Sequence, residues 1–212
     1  MPPLYGTGGL PLGKFSASAL HLRSAAGATT LATDTFTRAD AASLGTTETG
    51  SLAWTLDVYP SGTPTGNISS GTAYTTNGTA GNDSFGLLNV GTADHDITIT
   101  VTTIEAYATV VVRFIDSSNL VLLQKEATAA YGLYRKVTGA YTLMGSTSTV
   151  APASGDVLRV VATGTSYSVY QNGVLRISAT DATANTTGTK VGFRAVGTAV
   201  TARFDNLSVA SA

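Results

Sequence analysis

The sequence predicts an all-β fold, an antiparallel β-sandwich, on three observations. Thr and Ser fill 55 of the 212 positions and Glu only three, a composition poor in helix formers and rich in residues that favour strands. From Thr33 onward, strand-like runs alternate with turn clusters at a spacing of roughly 8–12 residues, which is typical of an antiparallel sandwich. No stretch sustains the roughly 3.6-residue apolar period of an amphipathic helix.

Ten segments have the apolar content and the flanking turn residues expected of strands. In chain order they are Ile97–Thr103, Tyr107–Ile115, Leu120–Glu126, Tyr131–Val137, Tyr141–Gly145, Val157–Thr163, Tyr167–Gln171, Val174–Ser178, Lys190–Val196 and Thr201–Val209. The segment from Tyr59 to Gly86 is dominated by Ser, Gly, Thr and Asn. For that segment we expect exposed loops, with one or two short strands around Ala73–Thr76.

The most specific local signal is a β-hairpin turn at Asn172-Gly173. Asn and Gly both tolerate the positive φ that a two-residue type I′ turn requires, so this turn also predicts the register of the two strands. The predicted cross-strand pairs are Tyr170 with Leu175, Val169 with Arg176, and Ser168 with Ile177.

Residues 1–32 differ from the sandwich, which we expect to span residues 33–212. Pro and Gly crowd the first thirteen positions, so we expect an extended arm. A disordered tail is the alternative. The arm carries widely spaced apolar residues that would gain from lying on another surface. These anchoring candidates are Leu4, Leu10, Leu12, Phe15, Leu20 and Leu22.

Charge and composition exclude several classes of function. The net charge is −1 and the twelve Lys and Arg residues are scattered, so nucleic acid is not an expected partner. The chain has no cysteine, which excludes disulfides and thiolate catalysis. We expect no signal peptide and no membrane insertion, because Pro and Gly interrupt the N-terminal residues and no apolar run approaches about 20 residues.

Both edges of the expected sandwich carry a recognisable pattern. The first edge reads DTFTRAD, SLGTTETG and Ala53-Trp54, and the last reads RFDNLSV, with YGLYRKVTGAYTLMGS and KVGFRAV between them. Over residues 33 to 210 the chain resembles the concanavalin-A-like (laminin-G-like) jelly rolls of tailed-bacteriophage virion surface proteins and of secreted bacterial proteins. The resemblance implies a jelly roll whose first and last strands lie side by side, pairing the Phe36 and Phe204 segments, with Phe36 and Trp54 in the core.

The resemblance also implies a function. We expect a non-enzymatic virion structural protein, a minor tail or capsid decoration subunit, made in the host cytoplasm and displayed on the particle surface. Its arm would bind other virion proteins, it would form a homo-oligomer, and its sandwich would attach weakly to a host cell-surface glycan. The alternative is a carbohydrate-binding or adhesion module of a bacterial surface or secreted protein.

Candidate ligand-binding residues lie on two adjacent predicted strands. Tyr131, Tyr134, Arg135 and Tyr141 would stack on a sugar ring and bond its hydroxyls if they share an exposed face. Ordinary cross-strand pairing is the competing explanation. A retaining glycanase needs two carboxylates about 5–5.5 Å apart, and the three glutamates stand alone in the sequence.

A metal site is the second candidate. Asp94 and Asp96 flank His95 and would supply oxygen ligands to Ca²⁺. The competing interpretation is an exposed turn before the strand that starts at Ile97. No other cofactor is expected.

Overall fold

The computed structural model describes residues 27–147, 150–183, 185–197 and 202–212. The described residues form fifteen strands and no helix. They therefore include no helix long and apolar enough to cross a membrane. In chain order the strands are β1 (Thr30–Asp34), β2 (Thr55–Tyr59), β3 (Pro64–Ser69), β4 (Thr72–Asn77), β5 (Asp83–Asn89), β6 (His95–Thr103), β7 (Thr109–Asp116), β8 (Asn119–Lys125), β9 (Tyr131–Val137), β10 (Ala140–Ser146), β11 (Asp156–Thr163), β12 (Ser166–Gln171), β13 (Val174–Thr180), β14 (Lys190–Val196) and β15 (Arg203–Ser211).

The strands form two antiparallel sheets, which confirms the jelly-roll β-sandwich. The eight-stranded sheet has the order β13-β12-β11-β6-β15-β4-β3, and β1 pairs with β15 beside this path. The seven-stranded sheet has the order β10-β9-β8-β7-β14-β5-β2. Each of the ten predicted segments corresponds to one of the strands β6 to β15.

The main core lies between the inner faces of the two sheets. Along β6 burial alternates, with Ile97, Ile99 and Val101 buried and threonines between them, because successive side chains of a strand point to opposite faces. The central strands β7 and β8 are instead buried on both faces. The reason is a second apolar cluster on the outer face of the seven-stranded sheet, formed by Phe85, Leu87, Val111, Phe114, Leu120 and Leu122.

The first and last strands pair as expected, but the paired residues are different ones. β1 begins at Thr30, within the segment assigned to the arm, and Asp34 pairs with Leu207. Phe36 lies beyond the strand with a φ of 51°, and it is fully buried. Its ring packs 5.7 Å from Trp54, which is half-buried and donates its indole N–H to Asp34 at 2.8 Å.

Between Tyr59 and Gly86 the short strand expected around Ala73–Thr76 is confirmed as β4, but the expectation that the rest forms exposed loops is wrong. This region contributes β3, β4 and the first half of β5. Polar residues fill the buried positions here because their side chains replace apolar packing with hydrogen bonds. Buried Thr75 donates its hydroxyl to the Ser84 carbonyl at 3.0 Å, and buried Asn77 donates its amide to the Asp83 carbonyl at 2.9 Å.

The Asn172-Gly173 turn is confirmed, and the register beyond it is corrected. Both residues have positive φ, 53° and 79°, and Tyr170 pairs with Leu175 as predicted. A bulge then shifts the register, so that Val169 pairs with Ile177 and Ser168 with Ser178, and Arg176 is left without a cross-strand partner in β12. The bulge brings the two apolar residues Val169 and Ile177 together in the core.

Candidate functional site

A cleft of about 470 Å³ opens on the outer face of the seven-stranded sheet. Four tyrosines line it, Tyr59, Tyr107, Tyr134 and Tyr141. Its polar lining includes Asp83, Gln124 and Arg194. These side chains come from both edge strands of the sheet, from four inner strands and from the turn before β7.

Strand register brings the polar groups into one row. Gln124 on β8 pairs with Thr109 on β7, and Thr109 pairs with Arg194 on β14. Residues directly opposite each other in antiparallel strands share a face, so all three side chains lie on the outer face. Asp83 on the neighbouring strand β5 lies opposite Val196, two residues beyond Arg194.

Arg194 organises the polar lining. Its side chain is only 3% exposed and forms an ion pair with Asp83 at 3.2 Å. The same guanidinium donates to Gln124 Oε1 at 2.7 Å and to the Tyr141 hydroxyl at 2.9 Å. A longer bond of 3.3 Å reaches Thr109 Oγ1. The planar guanidinium therefore fixes three cleft side chains relative to one another.

Tyr134 and Tyr141 form an aromatic wall. Their rings meet edge to face with centroids 6.3 Å apart. Burial and a hydrogen bond to Glu126 raise the pKa of Tyr134 to about 12, and burial also raises the pKa of Tyr141. Both phenols are therefore neutral at physiological pH and present aromatic faces with hydroxyl groups at one end.

Tyr107 stands at the rim with its backbone in the left-handed region. Its φ is 62°, which is uncommon for a non-glycine residue, and its side chain is 42% exposed. Two hydrogen bonds hold this conformation, one from its N–H to the Lys125 carbonyl and one to its carbonyl from Thr109. Strained residues of this kind cluster at functional sites.

Lys136 lies behind the wall and connects the two edges of the sheet. Its side chain is fully buried, and its Nζ lies 3.2 Å from the centroid of the Tyr59 ring and 5.0 Å from that of Tyr141. The ammonium group also donates to the Ser117 carbonyl at 2.8 Å. Burial lowers the pKa of Lys136 to about 8, although Asp83 at 4.0 Å favours the charged form.

The structure separates the four residues predicted to bind a ligand. Tyr134 and Tyr141 line the cleft. Tyr131 does not share their face. It is fully buried in the main core, where its hydroxyl donates to Asp156 at 3.0 Å and burial raises its pKa. Arg135, an even number of residues from Tyr131, also points away from the cleft and pairs with Asp181.

Sequence reasoning missed Tyr59, Asp83, Tyr107, Gln124 and Arg194. Arg194, a charged residue among the otherwise uncharged positions 191–196, is the one local signal that could have been followed. Because an outward Arg is usually a solvated side chain, that signal does not by itself indicate a cleft.

The two aspartates predicted as Ca²⁺ ligands form ion pairs with arginines. Asp94 accepts from Arg113 at 2.8 Å and from the Gly164 N–H at 2.9 Å. Asp96 forms a two-pronged pair with Arg159, with its shortest contact at 2.6 Å. Across the described parts of the chain, no group of three or more acidic or histidine residues is placed to hold a metal ion.

The expectation of an exposed turn at His95 is wrong. The imidazole is fully buried at the start of β6, between the Val112 carbonyl at 2.5 Å and the Thr92 carbonyl at 3.2 Å. Burial lowers the pKa of His95. The backbone carbonyl groups explain how this polar residue occupies a core position.

Comparison with known proteins supports the fold. No family model matches this sequence and no curated protein matches it. Domain 4 of AbnA, a GH43 extracellular arabinanase from Geobacillus stearothermophilus solved with arabinotriose, aligns with a TM-score of 0.56 and 16% identity over 87% of this chain and 93% of that one. The carbohydrate-binding module CBM66 from Bacillus subtilis aligns at 0.53 and 19% over 75% and 95%. A Bacillus licheniformis β-glucanase aligns at 0.50 and 12% over 84% and 96%.

Proposed function

We propose that this chain is a carbohydrate-binding domain that holds a glycan in the cleft of the seven-stranded sheet. The observation that carries the proposal is the cleft itself, in which four tyrosines surround a polar lining fixed by Arg194. Its volume of about 470 Å³ lies within the range of about 300–1,000 Å³ typical of small-ligand sites.

The lining has the mixed chemistry that a sugar requires. A sugar ring has an apolar face and a rim of hydroxyls, so it needs aromatic surfaces beside hydrogen-bonding groups. Tyr107 and Tyr141 are both 42% exposed and offer aromatic surface at the cleft. Asp83 and Gln124 offer polar atoms beside them.

The fold is consistent with this function by analogy. The module CBM66 is named as carbohydrate-binding, and domain 4 of the arabinanase was solved with arabinotriose. These likenesses favour the carbohydrate-binding alternative over the virion function expected from the sequence.

We propose that binding occurs without catalysis. Glycosidases of both stereochemical classes use a pair of carboxylates, about 5–5.5 Å apart in retaining enzymes and about 6.5–9.5 Å apart in inverting ones. Among the described residues lining the cleft, Asp83 is the one carboxylate, and it is ion-paired with Arg194. Incubation with any bound polysaccharide should release no new reducing ends, and release of reducing ends would contradict this part of the proposal.

The test of binding is a glycan array followed by calorimetry on the best ligand. Tyr141→Ala and Tyr107→Ala should each weaken affinity about tenfold or more, since an aromatic contact of about 0.5–1.5 kcal/mol is lost along with buried area. The matched control is Leu175→Ala, which removes another exposed apolar side chain, from the other sheet, and should leave affinity unchanged. Equal losses in all three variants would contradict a site in the cleft.

Display of this domain on a bacteriophage particle is the more specific proposal from the sequence. It rests on the arm, and residues 1–26 with all six anchoring candidates lie outside the described residues. None of the three compared proteins is named as a virion component. Limited proteolysis of the free and the particle-bound protein tests it, because docking predicts that cleavage within residues 1–32 disappears on assembly.

A further inference from the structure

Among the described residues, two polar atoms of the cleft have no hydrogen-bond partner, and they indicate which kind of sugar the cleft accepts. Arg194 bonds Asp83 through Oδ2 and Gln124 through Oε1. Within the described residues, Asp83 Oδ1 and Gln124 Nε2 have no hydrogen-bond partner. Neither belongs to the buried side-chain atoms that lack a partner, so both are accessible to solvent.

The orientation of these two groups is fixed. Because a guanidinium only donates, the Gln124 oxygen must face Arg194 and the amide nitrogen must face away. The Asp83 carboxylate is held on the same guanidinium by its other oxygen. One acceptor and one donor thus stand on partners of a single planar group.

In the described part of the chain, the two cations beside Asp83 are buried and already have partners. Arg194 is 3% exposed and already donates to four side chains. Lys136 is fully buried behind Tyr59 and donates to a backbone carbonyl. A second carboxylate, Glu126, lies behind the wall and accepts the Tyr134 hydroxyl. A sugar carboxylate placed at Asp83 Oδ1 would therefore meet a hydrogen-bond acceptor instead of a donor, while the two nearby cations are buried and already paired with Asp83.

Resting on the proposed function, we propose that the cleft selects uncharged sugars with two free hydroxyls and rejects sugars that carry a carboxylate. One hydroxyl donates to Asp83 Oδ1 and the other accepts from Gln124 Nε2. Two variants separate these roles. Gln124→Glu keeps the acceptor that Arg194 uses and removes the free amide donor. Asp83→Asn keeps a side-chain oxygen for Arg194 and removes the negative charge.

The experiment is biolayer interferometry with immobilised polysaccharides at low ionic strength. The neutral probes are arabinan, galactan and levan, and the acidic probes are polygalacturonate, alginate and hyaluronan. Carboxyl-reduced polygalacturonate is the matched control, because it has the same linkages without the charge. The wild-type protein should bind at least one neutral probe, and should bind each acidic probe at least about tenfold more weakly than its best neutral probe.

The variants sharpen the result. Gln124→Glu should weaken the affinity for the neutral probes about tenfold. Asp83→Asn should reduce the difference in affinity between polygalacturonate and its carboxyl-reduced form. Thermal unfolding of each variant confirms that it is folded. Acidic probes bound as tightly as neutral ones, or a gap unchanged by Asp83→Asn, would overturn this inference while leaving carbohydrate binding intact. Binding of no probe at all would contradict the proposed function, and the inference with it.

Discussion

Two buried arginines on adjacent strands use similar partners for different purposes. Arg113 on β7 and Arg194 on β14 each bond a tyrosine hydroxyl and an aspartate. Arg113 also donates to two backbone carbonyls, those of Ala93 and Gly164, each at 2.7 Å. We call Arg113 together with these four partners the Arg113 clamp. Arg194 bonds side chains alone.

The two arginines differ in whether their partners keep atoms or rings that are accessible to a ligand. The Arg113 clamp ties the connection before β6 to the turn between β11 and β12, and Tyr167 is buried with it. Arg194 instead holds Asp83, Gln124 and Tyr141, which keep free atoms or exposed rings in the cleft. The Arg113 contacts therefore tie two connections of the fold together, whereas the Arg194 contacts hold in place side chains that we propose bind a glycan.

The largest effect is expected from a substitution that removes the contacts of the Arg113 clamp. Arg113→Met leaves two carbonyls and the Tyr167 hydroxyl without their donor, and should lower the free energy of unfolding by about 3–5 kcal/mol. Glycan affinity of the folded fraction should not change, because no atom of the clamp lines the cleft. Urea denaturation and calorimetry measure both. A stability loss below about 1 kcal/mol would show that the clamp is not a structural tie.

Arg194→Lys should affect both properties. An ammonium group cannot bridge Asp83, Gln124 and Tyr141 in one plane, so we expect a stability loss of about 2 kcal/mol and loss of detectable glycan binding. The matched variant Arg113→Lys should lose stability and keep its affinity. If both lysine variants bind glycan equally well, the contrast between the two regions is wrong.

The two tyrosine hydroxyls provide a finer contrast. Tyr167→Phe and Tyr141→Phe each remove one hydrogen bond from an arginine, worth about 1 kcal/mol. The first should lower stability alone, and the second should mainly lower glycan affinity, by about tenfold at most. Denaturation midpoints and calorimetric affinities of the two variants test this contrast. A loss of glycan affinity in Tyr167→Phe would contradict a purely structural role for the Arg113 clamp.

The last expected effect is a pH dependence of the free energy of unfolding that comes from Lys136, beside the cleft. Lys136 has a pKa of about 8, against an ordinary value of 10.5. Between pH 8 and 10.5 the folded state therefore releases this proton while the unfolded state retains it. The cost of burying the charged ammonium is relieved, so the free energy of unfolding rises with pH in this range. The raised pKa of Tyr134 acts in the opposite direction only near and above its ordinary value of 10.

Thermal unfolding at pH values from 8 to about 9.5 tests this linkage. The melting temperature of the wild type should rise relative to that of Lys136→Met across this range. Parallel curves would show that Lys136 is not the titrating group.

Much of the sandwich follows from local patterns. The alternation of Ile97, Ile99 and Val101 predicts a half-buried strand, and Asn172-Gly173 predicts its turn because few residues tolerate two successive positive φ angles. The same alternation, applied within β9, would have separated Tyr131 from Tyr134, since three residues apart in a strand means opposite faces. The burial of Thr75 and Asn77 in β4 could not be predicted, because these side chains bond to carbonyl groups of β5, which belongs to the other sheet.

The sequence by itself determined that the chain forms antiparallel strands, and where most of them turn, because periodicity and turn chemistry act within a few residues. Only the tertiary structure decided that Arg194 meets Asp83, Tyr141 and Gln124, which lie 111, 53 and 70 positions away in the chain. Such contacts depend on the order and register of seven strands, and on which side of the sheet packs against the main core. No local pattern specifies these, so the cleft emerges only when the sheets assemble.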